Sequence, residues 1–245
     1  MTLSIQASYI SDKGLNPRYK VNEDSYLIMK DEHAYAVADG VGGAHAGDLA
    51  SRSALKFINA SIREYSKKFK GSPIDFLRKV IEAGNKIVFE MGQKKNRQMA
   101  STVAIMLLQD NYALLGHVGD SRIYVVRNGH ISQLTRDHSK LEELKDKNPD
   151  MALNSNNFAD RHVITKALGV SRFISPDIQK VFLKNDDVFI ICTDGIYRHH
   201  TENDLLTTVK NNINNPNEIC RTLKETCYRK GAKDNLTAVV LKIGV

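Results

Sequence analysis

The sequence predicts an α+β fold in which antiparallel sheets are covered by helices. Strand patterns occur in groups: three strands, two helices, a long run of strands, two more helices and a last strand. This order differs from the regular strand–helix alternation of a doubly wound parallel sheet. Asn128-Gly129, between two apolar runs, adds a strong signal for a tight antiparallel hairpin, because both turn positions need positive φ.

The chain shows no internal boundary. Its 245 residues contain no repeat, no low-complexity tract and no Gly/Ser/Pro linker, and its 5 prolines are scattered. A chain of this length can bury a substantial core without disulfides or structural metals. We therefore expect a single domain over residues 1–245.

Three strands are expected at the start of the chain. Alternating or apolar runs place them at Ser4–Ile10, Ser25–Met29 and Ala34–Ala38. The third run ends abruptly at Asp39-Gly40, so an acidic side chain should lie at the edge of a sheet.

Two long helices are expected next. Apolar residues at helical spacing predict the first over Leu49–Phe69, with Gly71 as its stop signal. Ser72 and Pro73 then form the N-cap and first position of a second helix, which Gly92 closes.

The rest of the chain is mostly β, with two helices before its last strand. Asn128-Gly129 and Asp110-Asn111 connect the paired strands of the middle region. Thr201–Val209 and Asn215–Tyr228 begin with capping residues and are predicted to be helical. The predicted strands are Thr102–Leu108, Tyr112–Val118, Arg122–Val126, His130–Leu134, Ile178–Phe182, Val188–Cys192 and Leu236–Ile243.

Composition excludes several classes of protein. No apolar run is long enough to cross a bilayer, and the N-terminus lacks the pattern of a signal peptide. The 3 cysteines are odd in number and follow no zinc spacing, so a cytoplasmic location is the default expectation. The net charge of +7 is compatible with nucleic acid, a membrane surface or phosphorylated substrates, and does not choose among them.

Several aspartates stand at the ends of predicted strands. Asp39, Asp120 and Asp194 each follow an apolar run and precede a small residue, and Asp234 lies just before the last strand. Taken singly, an Asp-Gly pair is more often a turn than a ligand. Converging carboxylates, however, repel one another unless cations lie between them, and all-oxygen ligands suit Mg²⁺ or Mn²⁺. The spacing therefore predicts a divalent-metal site.

An ordered set of short motifs carries a resemblance to a known family. The chain resembles, from about Ser8 onward, the metal-dependent protein Ser/Thr phosphatases of type 2C in their short bacterial form. That resemblance implies an α-β-β-α sandwich with two central, mainly antiparallel sheets, flanking helices and a small flap. The motifs are Asn22–Ser25, Ala38–Gly43 with Ala46-Gly47, Gly119–Arg122, Thr135–Ser139, Ile164–Gly169, Thr193–Ile196 and Asp234–Thr237.

The resemblance implies two Mn²⁺ or Mg²⁺ ions per active site. Asp39 would bridge them with help from the Gly40 carbonyl, and Asp194 and Asp234 would complete the shell. It also implies hydrolysis of phosphoserine and phosphothreonine by direct attack of a metal-bridging hydroxide, with no phosphoenzyme.

Further ligands follow from the same resemblance. Glu23 and Asp24 would act through bound waters, and Asp120 with Asp194 would hold a labile third metal. A flap is implied at about 139–177, and its Asn-rich stretch Lys140–Arg161 is expected to form a mobile lid.

Two departures from the family pattern concern the substrate. The position of the usual phosphate-binding arginine is Tyr19, between Arg18 and Lys20; we favour Arg18, because a guanidinium matches phosphate geometry. The alternatives are that Lys20 binds the phosphate instead, or that Arg18 is a solvated loop charge. Val41 replaces a proposed general acid, and His45 is a weaker candidate for that role than for a structural one.

Two other classes of function are weighed against the phosphatase. A pseudoenzyme should have lost at least one of Asp39, Asp194 or Asp234, and all three are present. A nucleic-acid-binding module is not favoured, because the basic clusters at 67–70 and 94–97 lie at predicted helix ends without interleaved aromatics. The expected partners are phosphorylated proteins, the substrates of a Ser/Thr kinase, with no nucleic acid or membrane, and a monomer is expected.

Overall fold

Two antiparallel β-sheets face each other in the computed structural model, which describes residues 3–41, 46–65, 69–147 and 163–244. The first sheet has the strand order β1-β11-β10-β7-β8. Strand β11 therefore lies between the first strand of the chain and β10, and it pairs with β1 from Ser4↔Gly244 to Asp12↔Leu236. Its strands are β1 (Ser4–Asp12), β7 (Arg122–Arg127), β8 (His130–Gln133), β10 (Val188–Cys192) and β11 (Leu236–Gly244).

The second sheet has the order β2-β3-β5-β6-β9, and a short strand β4 pairs with the end of β3. All of its pairings are antiparallel, as the hairpin patterns predict. Its strands are β2 (Asp24–Met29), β3 (Ala34–Val41), β4 (Ala100–Ser101), β5 (Val103–Leu108), β6 (Tyr112–Val118) and β9 (Asp177–Phe182).

Helices cover the outer face of each sheet. Ser72 caps α2 by accepting a hydrogen bond from the Asp75 amide, and Thr201 and Asp204 form a reciprocal capping box at the start of α5. In the described residues the helices are α1 (Ala46–Tyr65), α2 (Pro73–Lys94), α3 (Lys140–Lys147), α4 (Asp194–Tyr197), α5 (Glu202–Asn211) and α6 (Pro216–Arg229).

Three apolar clusters hold these layers together. The innermost lies between the sheets, where Tyr35 and Met106 of the second sheet meet Phe189 and Leu241 of the first. A second packs α1 and α2 on the second sheet, and a third packs α5 and α6 on the first. The resulting order of layers is α-β-β-α, which confirms the predicted fold class.

The element boundaries follow the predictions with small shifts. The first helix begins at Ala46 rather than at the predicted Leu49, and the end predicted at Phe69 is not tested, because residues 66–68 lie outside the described part. Asn128 and Gly129 both have positive φ, 51° and 75°, as the predicted hairpin turn requires. Across the described stretches, no helix has the length and apolar character to span a membrane.

Candidate metal centre

Asp24 and Asp39 are neighbours across the β2–β3 ladder. The two residues are paired in register at the end where β2 begins and β3 closes. Directly opposed like charges are unfavourable in a sheet, so this pairing needs a compensating partner. The strand-end position predicted for Asp39 therefore also brings a second carboxylate to the same edge.

The backbone of Asp39 is fixed by the segment that joins β4 to β5. The Asp39 amide donates to the Thr102 hydroxyl over 2.9 Å, and its carbonyl accepts from the Thr102 amide and the Ser101 hydroxyl over 2.8 and 3.0 Å. Ser101 and Thr102 are completely buried. These bonds leave the carboxylate of Asp39 little positional freedom.

Asp194 and Asp234 are brought together by a close backbone approach. Asp194 is the first residue of α4, directly after β10, and is 8% exposed. A Cβ on the next residue, Gly195, would collide with the carbonyl oxygen of Asn235. Glycine is therefore required there, and its absence of a side chain lets the segment carrying Asp234 lie against the start of α4.

Asn235 joins three segments at this point. Its side chain accepts a 2.7 Å hydrogen bond from the Glu23 amide and donates a 2.9 Å bond to the Lys13 carbonyl. The residue is 3% exposed, so both bonds are shielded from water. Glu23, Asp24 and Asp234 are consequently held in fixed relative positions.

Glu23 and Gly40 lie beside the start of α1. The Glu23 carbonyl accepts from the Gly40 amide over 3.1 Å, and its Oε2 lies 2.7 Å from the position a Cβ of Gly47 would occupy. The Gly40 carbonyl also faces Gly47. Both predicted ligands therefore lie at the edge that carries Asp39, where only glycine permits so close an approach.

Asp120 faces the other side of the same centre. It is 3% exposed, and its Oδ2 accepts a 3.1 Å hydrogen bond from the Tyr197 hydroxyl. The Arg122 guanidinium stacks on the Tyr197 ring at 3.7 Å and chelates Asp137 with bonds of 2.7–3.1 Å. This chain of contacts orients the tyrosine toward Asp120.

We define Asp24, Asp39, Asp120, Asp194 and Asp234 as the acidic centre. Burial, followed by the charges of Asp24 and Asp194, raises the pKa of Asp39 well above its usual range. Burial likewise raises the pKa of Asp24 to about 8 and that of Asp194 to about 7. Burial and the neighbouring Asp137 raise the pKa of Asp120. The protein alone thus stabilises the ionised forms poorly.

The donor set of the acidic centre fits hard divalent cations. Every side chain in it is a carboxylate, and the buried Oδ1 of Asp24 has no hydrogen-bond partner among the described residues. An oxygen-only shell of this kind suits Mg²⁺ or Mn²⁺ and is unlike the His and Cys sets that zinc prefers. Bound cations would also offset the repulsion that raises these pKa values.

The two predicted phosphate-binding residues lie outside this cluster. Arg18 and Lys20 are exposed on the segment after β1, where the Arg18 amide donates to Asn16. Tyr19 lies between them and turns inward. Its hydroxyl hydrogen-bonds Asp234, and burial together with that carboxylate raises the pKa of Tyr19.

Two functional candidates were missed by the sequence argument. Arg198, the last residue before the two histidines that follow α4, forms a 2.7 Å ion pair with Asp194. Tyr197 reaches Asp120 from the same turn. The available signal for Arg198 was its i,i+4 spacing from Asp194, which places the two side chains on one face of a helical turn.

Part of the predicted flap lies outside the described residues, and so does one catalytic candidate, His45. The described ends of the predicted 139–177 flap are joined by a β-bridge between Ser139 and Ile164 and by a 3.3 Å contact from His138 to Asp177. His138 also stacks on His117 at 4.7 Å. His45 and residues 148–162 lie outside the described part.

Comparison with known proteins identifies the family and the relatives of this chain. A family model described as protein phosphatase 2C matches residues 18–239. A serine/threonine phosphatase Stp from Listeria monocytogenes is 26% identical over 97% of this chain and 96% of its own length. The protein phosphatase PhpP of Streptococcus pneumoniae is 26% identical over 96% of this chain and 94% of its own.

Solved structures agree with the sequence relatives. The serine/threonine phosphatase PstP/Ppp of Mycobacterium tuberculosis superposes with a TM-score of 0.87, at 26% identity over 98% of this chain and 99% of that one. A catalytic domain of PstP in complex with two manganese ions superposes with a TM-score of 0.83, at 26% identity over the full length of both chains.

Proposed function

Because the chain belongs to the protein phosphatase 2C family, we propose that it is a metal-dependent protein Ser/Thr phosphatase using the acidic centre. The observation that carries this proposal is the convergence of five aspartates from both sheets on one edge, where the charges of the other four act on Asp39. Each predicted ligand is retained, which argues against an inactive relative. The reaction it supports is hydrolysis of phosphoserine and phosphothreonine in proteins, with Mn²⁺ or Mg²⁺ as cofactor.

Asp39, Asp194 and Asp234 are the residues that would hold two divalent cations, with the Gly40 carbonyl beside Asp39. Glu23 and Asp24 would act on them through bound water. Cations held in this way supply Lewis acidity, which acidifies water and neutralises charge on the transferring phosphoryl group.

The protein's own contribution is to hold these carboxylates in place before substrate arrives. Thr102 fixes the backbone of Asp39, and Asn235 ties Glu23 to the segment of Asp234. Thr193 donates to Asp24 over 2.7 Å, which favours the ionised form of that carboxyl. Such preorganisation lowers the reorganisation cost at the moment of reaction.

Arg18 is the residue we propose to bind the substrate phosphate. Arg18 is exposed and adjacent in sequence to Tyr19, whose hydroxyl hydrogen-bonds Asp234, so the segment that carries Arg18 lies beside the acidic centre. Lys20 is the alternative on the other side of Tyr19. A forked guanidinium can bind two phosphate oxygens at once, whereas an ammonium acts as a point charge.

The proposal extends to partners and place of action. The substrates are phosphorylated proteins, and we propose that a Ser/Thr kinase produces them. We further propose a cytoplasmic monomer, built as one domain, that binds neither nucleic acid nor membrane.

The decisive experiment is hydrolysis of a phosphothreonine peptide with Mn²⁺, Mg²⁺ or EDTA. We expect turnover only with metal, and a loss of at least ~100-fold in Asp194→Asn, because a preorganised charge is removed. Asp110→Asn, in the exposed β5–β6 turn, is the matched control and should keep full activity. Activity that survives both EDTA and Asp194→Asn would refute the proposal.

A second comparison separates the phosphate-binding candidates. Arg18→Ala should raise KM much more than Lys20→Ala while leaving kcat less affected, because the contact forms with the ground-state substrate as well. Equal effects on KM, or a larger effect of Lys20→Ala, would show that Arg18 is not the main residue that binds the substrate phosphate.

A further inference from the structure

The Arg198 guanidinium lies between two carboxylates of the acidic centre. Its Nη2 is 2.7 Å from Asp194 Oδ2 and 4.0 Å from Asp120 Oδ2. These are the two residues that the family resemblance pairs around a labile third metal. The position between them therefore already holds a positive charge that belongs to the chain.

Position and partners make Arg198 a fixed part of this site. Its side chain is one-third exposed, while those of Asp120 and Asp194 are 5% and 10% exposed. The helical turn of α4 sets the spacing, since the Arg198 amide donates to the Asp194 carbonyl over 2.9 Å. Backbone and side chain thus both tie Arg198 to the same ligand.

Arg122, the neighbouring arginine, does not neutralise the charge of Asp120. Arg122 is nearby, but its guanidinium is chelated by Asp137 and stacked on Tyr197. The Asp120 carboxylate, in contrast, accepts neutral hydrogen bonds from the Tyr197 hydroxyl and from its own amide, and among the described residues it forms an ion pair with Arg198. Arg198 is therefore the group that compensates the Asp120–Asp194 pair.

We propose that Arg198 replaces the third divalent cation, so that the wild-type centre holds two metal ions and one guanidinium. This inference rests on the proposed two-metal phosphatase. A guanidinium stays protonated at any physiological pH and cannot dissociate, so the charge at this position would not depend on metal concentration. Asp194 would keep its second oxygen for the two-metal shell, because the ion pair engages Oδ2.

Replacing the third metal ion with Arg198 would change the bound water at this position as well as the charge. A divalent cation at this position would carry water molecules that a guanidinium does not. Arg198 would instead present N–H donors to the Asp120–Asp194 side of the site, where they can meet phosphoryl oxygens. Its partial exposure leaves that side open to an incoming phosphate.

The test counts Mn²⁺ ions bound to metal-free protein, following the free Mn²⁺ signal by electron paramagnetic resonance during a titration into the millimolar range. We expect two ions for wild type and three for Arg198→Ala. The additional site should fill within the millimolar range of the titration only in Arg198→Ala, because a cation no longer repels the metal there. Circular dichroism verifies that both proteins are folded.

Two further variants make the result specific. The additional site should disappear in the double variant Arg198→Ala, Asp120→Asn, which removes a proposed ligand. Arg136→Ala removes one positive charge outside the acidic centre, where Arg136 pairs with Glu142 and Asp146, and should bind two ions as wild type does. A third ion in Arg136→Ala would attribute the gain to net charge and overturn the inference.

The outcomes also separate this inference from the function on which it rests. Three ions bound by wild type would overturn the role of Arg198 and leave the phosphatase intact. Wild type that binds no Mn²⁺ would overturn the two-metal function itself, and the inference with it.

Discussion

The Thr193 hydroxyl donates a 2.7 Å hydrogen bond to Asp24 Oδ2, although the two residues are 169 positions apart. Thr193 follows β10 of the first sheet and Asp24 begins β2 of the second, so the bond crosses between the sheets. Both groups are buried, which strengthens the bond and raises the cost of losing it.

Thr193→Val should therefore destabilise the protein and weaken its metal affinity. The substitution keeps the shape of the side chain but leaves Asp24 without this donor, and a lost bond to a charged group costs about 1.5–3 kcal/mol. Urea unfolding with Mn²⁺ present measures the loss. Thr208→Val, in α5 and away from the acidic centre, is the control; equal losses in both variants would contradict a special role for the Thr193 bond.

The stability of the metal-free protein should fall as the pH rises from 6.5 to 8. Asp24 and Asp194 have folded pKa values of about 8 and about 7, above those of an unfolded chain, so the folded state binds more protons in this window. Each additional bound proton corresponds to a slope of about 1.4 kcal/mol per pH unit.

The lower limit of that window comes from the buried histidines. Burial lowers the pKa of His138 to about 4 and also lowers the pKa values of His117 and His200, so their effect on stability has the opposite sign, is largest below pH 6.5 and fades above it. Thermal melting from pH 6.5 to 8 should show the decline, Asp24→Asn should reduce it, and Mn²⁺ should abolish it. A melting temperature that rises across this window without metal would contradict the electrostatic account.

Gly195→Ala should separate the two segments that carry the proposed metal ligands Asp194 and Asp234. The new methyl group would collide with the Asn235 carbonyl, so the backbone must shift between Asp194 and Asp234. We expect a destabilisation of roughly 1–3 kcal/mol, typical of overpacking, together with a loss of Mn²⁺ affinity. Isothermal titration calorimetry measures the affinity.

Gly84→Ala provides the comparison for that variant. A methyl group there would meet Cγ1 and Cδ1 of Ile58 at 3.0 and 3.1 Å, and none of its nearest atoms belongs to a proposed metal ligand. Mn²⁺ affinity should be unchanged in Gly84→Ala, and an equal loss in both variants would indicate a general packing effect.

Alkylation of cysteine should leave the native enzyme active. All three thiols are buried, and burial raises the pKa of Cys220 to about 11 and that of Cys227 to about 12, so the reactive thiolate is scarce. Iodoacetamide should label the protein in urea but not in buffer, as measured by mass spectrometry. Rapid inactivation of the folded enzyme would point to a cysteine nucleophile instead.

The sequence was sufficient to predict the fold class and the elements that carry the aspartates. Strand periodicity, the Asn128-Gly129 turn and the Ser72 cap are local signals, and each corresponds to an observed element. The end of an apolar strand also restricts where its last carboxylate can lie, which is why Asp39 and Asp194 could be singled out before the structure was known.

The inward side chains between the motifs could not be predicted in the same way. Arg198 resembles an ordinary helix-end cation until the fold places Asp120 beside it. Tyr19 turns toward Asp234 while its charged neighbours stay exposed, an orientation set by the loop rather than by residue type. Such contacts depend on chain segments that are distant in sequence, so no local pattern records them.

The interior place of β11 in the first sheet has a consequence during synthesis. Asp234 and Asn235 immediately precede this strand, which is the last in chain order and inserts between β1 and β10. A nascent chain that stops before residue 234 has neither the bridge from Asn235 to Glu23 nor a complete first sheet. Prematurely terminated products are therefore expected to be inactive toward phosphoproteins. Activity should appear only after translation has passed β11.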